Sequence, residues 1–297
     1  QIELERLLAP NGPLKGEVIR PSDKTVPQKI LMIQCVGSRS FNTNLHCSAG
    51  VCCMVAIKNA NLLKQHFENM DVTICFMDIR AAGKGYEEYY LEARKTGIKF
   101  LRGNIADLKE DPKTKDLIIR LENTLTQEIV ELRANMVVLS TAMEPSSTTE
   151  EIIKLLRLER SRDGFLKEFH ARLNPTDTKF PGVYLCGAVQ GPKSIAEAVT
   201  SGKAAASAAS IPMIKKVYEI VKFEGIIDSE RCSGCGLCID LCPYSAIKIE
   251  NNIAKIEPIF CRGCGMCGSI CPSNAATLTG FRDEMIETFL DGLFSEI

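Results

Sequence analysis

Apolar and polar positions along this chain fall into blocks of changing period, and the blocks predict its elements. Residues 29–36 (KILMIQCV) are almost continuously apolar and are bounded by Pro27 and Gly37, which predicts a strand buried on both faces. Val51, Met54, Val55, Leu62, Leu63 and Phe67 make a helical stripe that ends near Asn69. A second buried strand follows at 71–79 (DVTICFMDI), then a helix at 85–96 closed by Gly97, then a short strand at Ile98–Leu101. This strand–helix alternation predicts a doubly wound α/β unit with a parallel sheet. Residues 104–132 alternate apolar with polar, as an antiparallel meander does, and Met136–Ser140 returns to a buried strand. A strand at Gly182–Gly187 and an Ala-rich helix over 194–210, ended by Pro212, complete the pattern. Residues 1–28 carry Pro10, Gly12, Pro13, Gly16, Pro21 and Pro27 and read as a loop-like arm. In the tail, Phe281, Met285, Phe289, Leu293 and Ile297 recur every fourth residue, widened by Ile286, Leu290 and Phe294. That predicts an amphipathic helix whose stripe docks on its own chain or in a partner's groove.

Composition narrows the function classes. Over 297 residues, 36 basic and 37 acidic side chains give a formal net charge of −1. No polybasic surface is implied, so nucleic acid is not an expected partner. No apolar run reaches the roughly 18 residues of a membrane span. The first residue is Gln1 and no charged-then-apolar signal peptide follows it, so the chain reads as processed or as a segment of something longer. The 14 cysteines are the informative number, because eight of them lie in 232–271 at metal-cluster spacing. A disulfide scaffold spreads its cysteines through a short secreted chain, whereas this clustering indicates a reducing, cytoplasmic setting.

Those eight form an internal repeat. Cys232-Ser-Gly-Cys235-Gly-Leu-Cys238-Ile-Asp-Leu-Cys242-Pro243 recurs as Cys261-Arg-Gly-Cys264-Gly-Met-Cys267-Gly-Ser-Ile-Cys271-Pro272. A C-x2-C-x2-C run wraps three irons of a [4Fe–4S] cube, its glycines let the loop pass close, and the Cys-Pro cysteine serves the other cube. The expected sets are Cys232, Cys235, Cys238 and Cys271 for one cube, and Cys242, Cys261, Cys264 and Cys267 for the second. The repeat resembles the bacterial two-[4Fe–4S] ferredoxin domain. Zinc also accepts C-x2-C pairs, but not two interleaved runs each ending in Cys-Pro. With about −2 on each oxidised cube and its thiolates, the loaded protein is more acidic than its formal charge.

Cys35, Cys47, Cys52 and Cys53 form another group. Cys35 ends the first strand, where a doubly wound domain ordinarily carries the G-x-G-x-x-G turn for a dinucleotide. Here the residues are Cys35-Val-Gly37-Ser-Arg-Ser, which support a nicotinamide cofactor poorly. Cys47, Cys52 and Cys53 flank the start of the next helix, whose N–H groups favour thiolates. Their spacing is compatible with a third cube, with a vicinal Cys52–Cys53 redox pair, or with simple buried cysteines. Cys75, inside a strand, reads as core.

Longer motifs go further. Gln34-Cys-Val-Gly-Ser-Arg39, Cys47-Ser48, Val51-Cys-Cys-Met-Val-Ala-Ile-Lys-Asn-Ala60, Gly182-Val-Tyr-Leu-Cys-Gly187 and Gln190-Gly-Pro-Lys193, followed by the ferredoxin repeat, resemble the heterodisulfide reductase A subunit. That family is a thioredoxin-reductase-like flavoprotein with iron–sulfur insertions. The resemblance implies that Cys35, Cys47, Cys52 and Cys53 hold a third [4Fe–4S] cluster, although four residues, not the family's three, separate Cys47 from Cys52. It implies FAD contacts from Gly187, Ala188, Gln190, Gly191 and Lys193, with Lys193 either near the flavin ring or simply at the surface, and Cys186 beside it as a flavin neighbour or a small buried residue. No G-x-G-x-x-G turn for the ADP part occurs, so the chain resembles the C-terminal half of a split or longer subunit.

The implied domains are an arm (1–28), a degenerate nucleotide-binding, cluster-bearing domain (29–137), the C-terminal part of an FAD domain (138–212), a two-cluster ferredoxin domain (213–280) and a docking helix (281–297). The implied function is that of an oxidoreductase subunit with no catalytic residue of its own, for electron transfer and flavin-based electron bifurcation in methanogenesis-type chemistry, the heterodisulfide being cleaved on another subunit. The implied partners are the N-terminal half of the A subunit, the B and C subunits, a hydrogenase or formate dehydrogenase as donor, and ferredoxin. Two other readings stand beside it: an NAD(P)H-linked iron–sulfur flavin oxidoreductase, and a flavin-free iron–sulfur relay.

Overall fold

The computed structural model describes residues 1–217 and 223–295. The chain opens with helix α1 (Ile2–Leu8), where the sequence predicts an arm; Leu4 and Leu8 lie one helical turn apart and bury one face in the core, so the helix forms despite the prolines that follow. The next elements are β1 (Lys29–Val36), α2 (Val51–His66), β2 (Asp71–Phe76), α3 (Tyr86–Lys95), β3 (Lys99–Glu110), β4 (Leu117–Asn123), β5 (Glu128–Ala134), β6 (Met136–Thr141), α4 (Thr149–Leu156) and α5 (Ile195–Lys215). After them come β7 (Gly225–Ile227), α6 (Leu237–Leu241), β8 (Ile247–Glu250), β9 (Ile253–Ile256), α7 (Met266–Ile270), β10 (Ala276–Leu278) and α8 (Asp283–Phe294).

By its internal packing the chain divides into two units: Gln1–Glu150 with Arg160–Lys167 and Cys186–Lys203, and Glu151–Glu159 with Glu168–Leu185 and Ala204–Ile297. These units do not follow the expected borders at 137 and 212. Segments 151–159 and 168–185 belong with the cysteine repeat because Arg157, Lys179 and Arg262 tie them to it through backbone carbonyls.

The first unit is built on a six-stranded sheet in the order β5-β4-β3-β2-β1-β6. β1 pairs in parallel with β2 and β6, and β2 with β3. β3 is long enough to do two jobs. Its first residues pair in parallel with β2, and from Gly103 onward it pairs antiparallel with β4, which pairs with β5. Gly103 stands where a Cβ would lie 2.0 Å from the Glu122 carbonyl oxygen, so the crossing requires glycine. Ile30, Met32, Val72 and Ile74 on one sheet face pack with Ala56, Ile57, Ala60 and Leu63 of α2. On the other face, Leu31, Ile33 and Cys75 pack with Ile119 and Leu121 of the meander. Both faces being covered explains the continuous apolar runs of β1 and β2.

The chain moves outward from β1 through β2 to β3 and returns to β6 on the opposite side of β1. The carboxyl ends of β1 and β6 therefore form the topological switch point, the usual ligand crevice of such sheets.

Two expected features differ. Residues 182–187 are not a strand; one bridge, Asp177 to Tyr184, precedes a 3-10 turn at Gly187–Gln190, because left-handed Gly182 and Gly187 break an extended run. α5 also runs through Pro212 to Lys215. Proline removes only its own N–H bond, and its neighbours can still donate, so a short continuation survives near a helix end.

The second unit carries the repeat as two two-stranded ribbons, β7 with β10 and β8 with β9, and the helical turns α6 and α7. The tail helix α8 is a helix as expected. Of its stripe, Phe281 packs edge-on against Phe223 with ring centroids 5.4 Å apart, whereas Met285, Ile286, Phe289, Leu290, Leu293 and Phe294 are 43–70% exposed. Ile297, the last position of the expected stripe, lies outside the described residues.

Candidate iron–sulfur centres

The repeat folds into two cavities. One is lined by Cys232, Cys235, Cys238 and Cys271. The other is lined by Cys242, Cys261, Cys264 and Cys267. Each brings together three cysteines of one run with the Cys-Pro cysteine of the other. In each, two sulfurs accept a backbone N–H: Ala254 to Cys232 at 3.4 Å and Ala275 to Cys271 at 3.2 Å in the first, Ala246 to Cys242 at 3.4 Å and Gly225 to Cys261 at 3.2 Å in the second. Such donors suit thiolates rather than thiols.

The loops that carry these sulfurs need glycine. Gly234 and Gly263 have φ of +69° and +60°, and a Cβ would lie 2.2 Å from the Asn252 oxygen or 2.1 Å from the Phe223 oxygen. Gly236 and Gly265, both left-handed, start α6 and α7 without a side-chain cap. Among the described residues, no three His, Cys, Asp or Glu side chains converge on a position for a single metal ion.

A third constellation lies at the switch point. Cys35 closes β1 in a left-handed conformation (φ 60°), beside the ladder irregularity between Ile33 and Val36. Cys52 and Cys53 open α2, whose first turn has neither a side-chain cap nor an acidic residue. The residue extra to the family spacing is taken up by two successive left-handed residues, Ala49 (φ 51°) and Gly50 (φ 84°). Cys47 consequently stays within electrostatic reach of both Cys35 and Cys52. The hydrogen bond between Cys52 and Cys53 lowers Cys53 and, with burial, raises Cys52. Burial also pushes the Cys35 thiol up.

Three residues complete this group that the spacing of cysteines does not disclose. The Arg39 guanidinium lies near the Cys35 sulfur, and its Nη2 donates to the Asp78 carboxylate at 2.6 Å, keeping that carboxyl below its ordinary range. The Arg80 N–H hydrogen-bonds Cys53, and the Asp78 carbonyl lies 3.9 Å from the Cys53 sulfur. Arg39 Nη1 and both polar atoms of the Gln34 amide are buried without a hydrogen-bond partner. Asp78 and Arg80 are accessible only through the fold, which brings the end of β2 beside the end of β1. Cys75 is core as expected, and burial pushes its thiol up to about 12.

The 187–193 loop forms the 3-10 turn with Gly187 (φ 68°) and Gly191 (φ 148°), and a Cβ at either would meet open space. Several of its donors are already engaged. Gly187 N–H reaches Ser201 Oγ at 2.8 Å and Gly191 N–H reaches the Ala188 carbonyl at 3.3 Å. Ser194 and Glu197 form a reciprocal capping box at the start of α5, with Ser194 N–H on the Glu197 carboxylate at 2.7 Å. Cys186 is exposed, against the buried reading, because it precedes the turn on its open side. Among the described residues no helix is long and apolar enough to cross a membrane.

Cavities of this chemistry define an iron–sulfur protein, and residues 224–272 match the 4Fe–4S dicluster domain family. The whole chain is 48% identical over 297 residues to the iron-sulfur A subunit of the CoB–CoM heterodisulfide reductase of Methanocaldococcus jannaschii, covering 98% of this chain and 45% of that protein. It is 46% identical over 300 residues to the A subunit of the H2/formate:CoB–CoM heterodisulfide,ferredoxin reductase of Methanococcus maripaludis, covering 99% and 45%. The chain belongs to the heterodisulfide reductase A-subunit family, and it spans a little under half the length of these relatives, which are oxidoreductase subunits. Among solved structures, T. acidophilum thioredoxin reductase aligns with 63% of this chain and 53% of its own at 19% identity and a TM-score of 0.43.

Proposed function

We propose that this chain is the iron–sulfur relay of a heterodisulfide reductase A-type subunit, carrying three [4Fe–4S] cubes. Cys232, Cys235, Cys238 and Cys271 hold the first, Cys242, Cys261, Cys264 and Cys267 the second, and Cys35, Cys47, Cys52 and Cys53 the third. One observation carries the reading: two cavities, each lined by four cysteines drawn from both runs and each with two N–H···S bonds. The third set rests on the proximity of the four sulfurs at the carboxyl end of β1 and the uncapped start of α2, with Arg39 close to Cys35.

Cubes of this kind supply one-electron transport and make no bonds in substrate. The protein's own work is to hold the thiolates, exclude water and place N–H donors and cations. In the family reading, FAD lies against Gly187, Ala188, Gln190, Gly191 and Lys193 and is shared with the remainder of the A subunit. Electron pairs from a hydrogenase or formate dehydrogenase are then divided between the heterodisulfide, reduced on the B subunit side, and ferredoxin. The relatives' names support donor and acceptor of this kind, since they cite H2, formate and ferredoxin. A flavin-free relay is the second reading, and the engaged donors of Gly187, Gly191 and Ser194 favour it for this chain taken alone.

Anaerobic isolation followed by iron, sulfide and flavin analysis separates the two. About twelve irons per chain are expected from three cubes, with FAD present only when the rest of the A subunit is present. About eight irons would remove the third cube, and FAD on no preparation would leave the flavin-free relay.

A further inference from the structure

The two halves of the dicluster repeat are related residue by residue, so each is an internal control for the other. Glycines, N–H···S bonds and the αL starts of α6 and α7 correspond. The charges do not. Arg262 stands in the second run where Ser233 stands in the first, and Tyr244 follows Cys242-Pro243 where Ser273 follows Cys271-Pro272. Arg262 lines the second cavity and is fixed there by two hydrogen bonds to the Lys179 carbonyl, Nε at 3.2 Å and Nη2 at 2.9 Å. Lys179, nearly buried, donates to the Pro243 carbonyl at 3.1 Å with Glu159 3.7 Å away. Arg157 donates to the Ser245 carbonyl at 3.3 Å and covers the Phe260 ring. The second cavity is therefore lined by the cation of Arg262, with Lys179, Arg157 and Glu159 on the segments tied to it.

The first cavity has no such set. Ser233 is neutral, and Ser273 offers a neutral hydroxyl 3.5 Å from Cys271 Sγ. Arg231, beside Cys232, is exposed and paired with Asp228 at 3.6 Å. Asp240 of α6 lies between Cys238 and Cys242 and so borders both sets. Reduction adds one negative charge to a cube, and a fixed cation in a poorly solvated setting stabilises the charge far more than an exposed, paired one.

Taking the ligand sets proposed above, we infer that Arg262 makes the cube of Cys242, Cys261, Cys264 and Cys267 the higher-potential member of the pair, on which a single electron rests. The cube of Cys232, Cys235, Cys238 and Cys271 is then the low-potential member, and the repeat is a directed step rather than two equivalent stations. Segment 168–185, which carries Lys179, gains a purpose beyond packing: it orients the cation.

An EPR-monitored redox titration of the full, anaerobically isolated chain tests this. Arg262→Gln keeps N–H donors for the Lys179 carbonyl and removes the charge. It is expected to lower the upper ferredoxin-domain step and to change the electron's partition between the two cubes by about tenfold, 59 mV for a one-electron couple. Arg262→Lys should keep most of the separation. Ser233→Arg, at the related position, should raise the lower step and carries the test if Arg262→Gln loses iron. Unmoved steps at full iron content would overturn the inference, as would an Arg262→Lys variant that falls as far as Arg262→Gln, which would indicate the guanidinium's packing and not its charge. An unsubstituted chain with fewer than about eight irons would instead overturn the ligand sets themselves.

Discussion

Arg39 holds a left-handed backbone at φ 56°, which costs a non-glycine residue on the order of 1–3 kcal/mol unless its surroundings impose it. The imposed purpose is visible in its side chain, which spans Asp78 and the Cys35 sulfur and leaves Nη1 buried and unpartnered. If the proposed third cube is held there, Arg39→Met should lower its reduction potential without removing the four cysteines, and Arg39→Lys should recover part of the loss; EPR-monitored titration reads both. Gly50 presents the opposite demand. At φ +84°, a Cβ there would lie 2.5 Å from the Arg80 carbonyl oxygen, which is backbone and has little room to yield. Gly50→Ala is expected to cost on the order of 1–3 kcal/mol in denaturant unfolding and to release about four irons, because Gly50 sets the loop from Cys47 into α2. At this scale the cysteines are legible, since ligand chemistry fixes their type and spacing. Arg39 is legible only as part of a motif, and Arg80 not at all, because adjacency across β1 and β2 leaves no trace in a single sequence.

At the scale of elements, the repeat shows how a short loop is specified by the backbone it must pass. Gly234 lies against the Asn252 carbonyl at the β8–β9 turn, and Gly263 against the Phe223 carbonyl just before β7. Gly234→Ala and Gly263→Ala should each displace one C-x2-C loop and lose about four irons, the first from the cube of Cys232, the second from that of Cys261, with the other cube retained. Iron analysis with EPR of each variant reads this, and loss of both cubes together would show that the ribbons fold as one unit rather than two. Buried strands β1 and β2 are readable because both sheet faces are covered and the residues are apolar throughout. The switch from parallel to antiparallel pairing within β3 is not, since periodicity does not say what lies beside a strand. α1 escapes the pattern because proline and glycine punctuation in 10–27 outweighs two apolar residues at helical spacing, Leu4 and Leu8. Residues 182–187 have the composition of a strand, yet Gly182 and Gly187 are both left-handed, and sequence does not reveal which glycines use that freedom.

At the scale of the whole molecule, the hydrophobic pattern leaves α5 least accounted for. It is 21 residues long, yet Ala205 is its one buried residue, and Ile195 and Met213 are 87% and 75% exposed. Ile195, Val199, Gly202, Ala206, Ala209 and Met213 share one face at helical spacing, with small residues at its centre that allow close approach of another element. An isolated helix with so exposed an apolar face gains little from burial, whereas most helical stability in proteins comes from packing. More than half of the length of the relatives has no counterpart in this chain. If that remainder covers α5, as the shared-flavin reading requires, the amides of α5 should exchange fast in the chain alone and slowly once a polypeptide supplying the remaining length is added. Those of β1, β2 and α2 should be equally protected in both states, because their core is complete within this chain. Hydrogen exchange followed by mass spectrometry measures both sets in one experiment. Protection of α5 already present in the chain alone would mean that the helix is covered from within, and the remainder of the subunit would then have to meet this chain elsewhere.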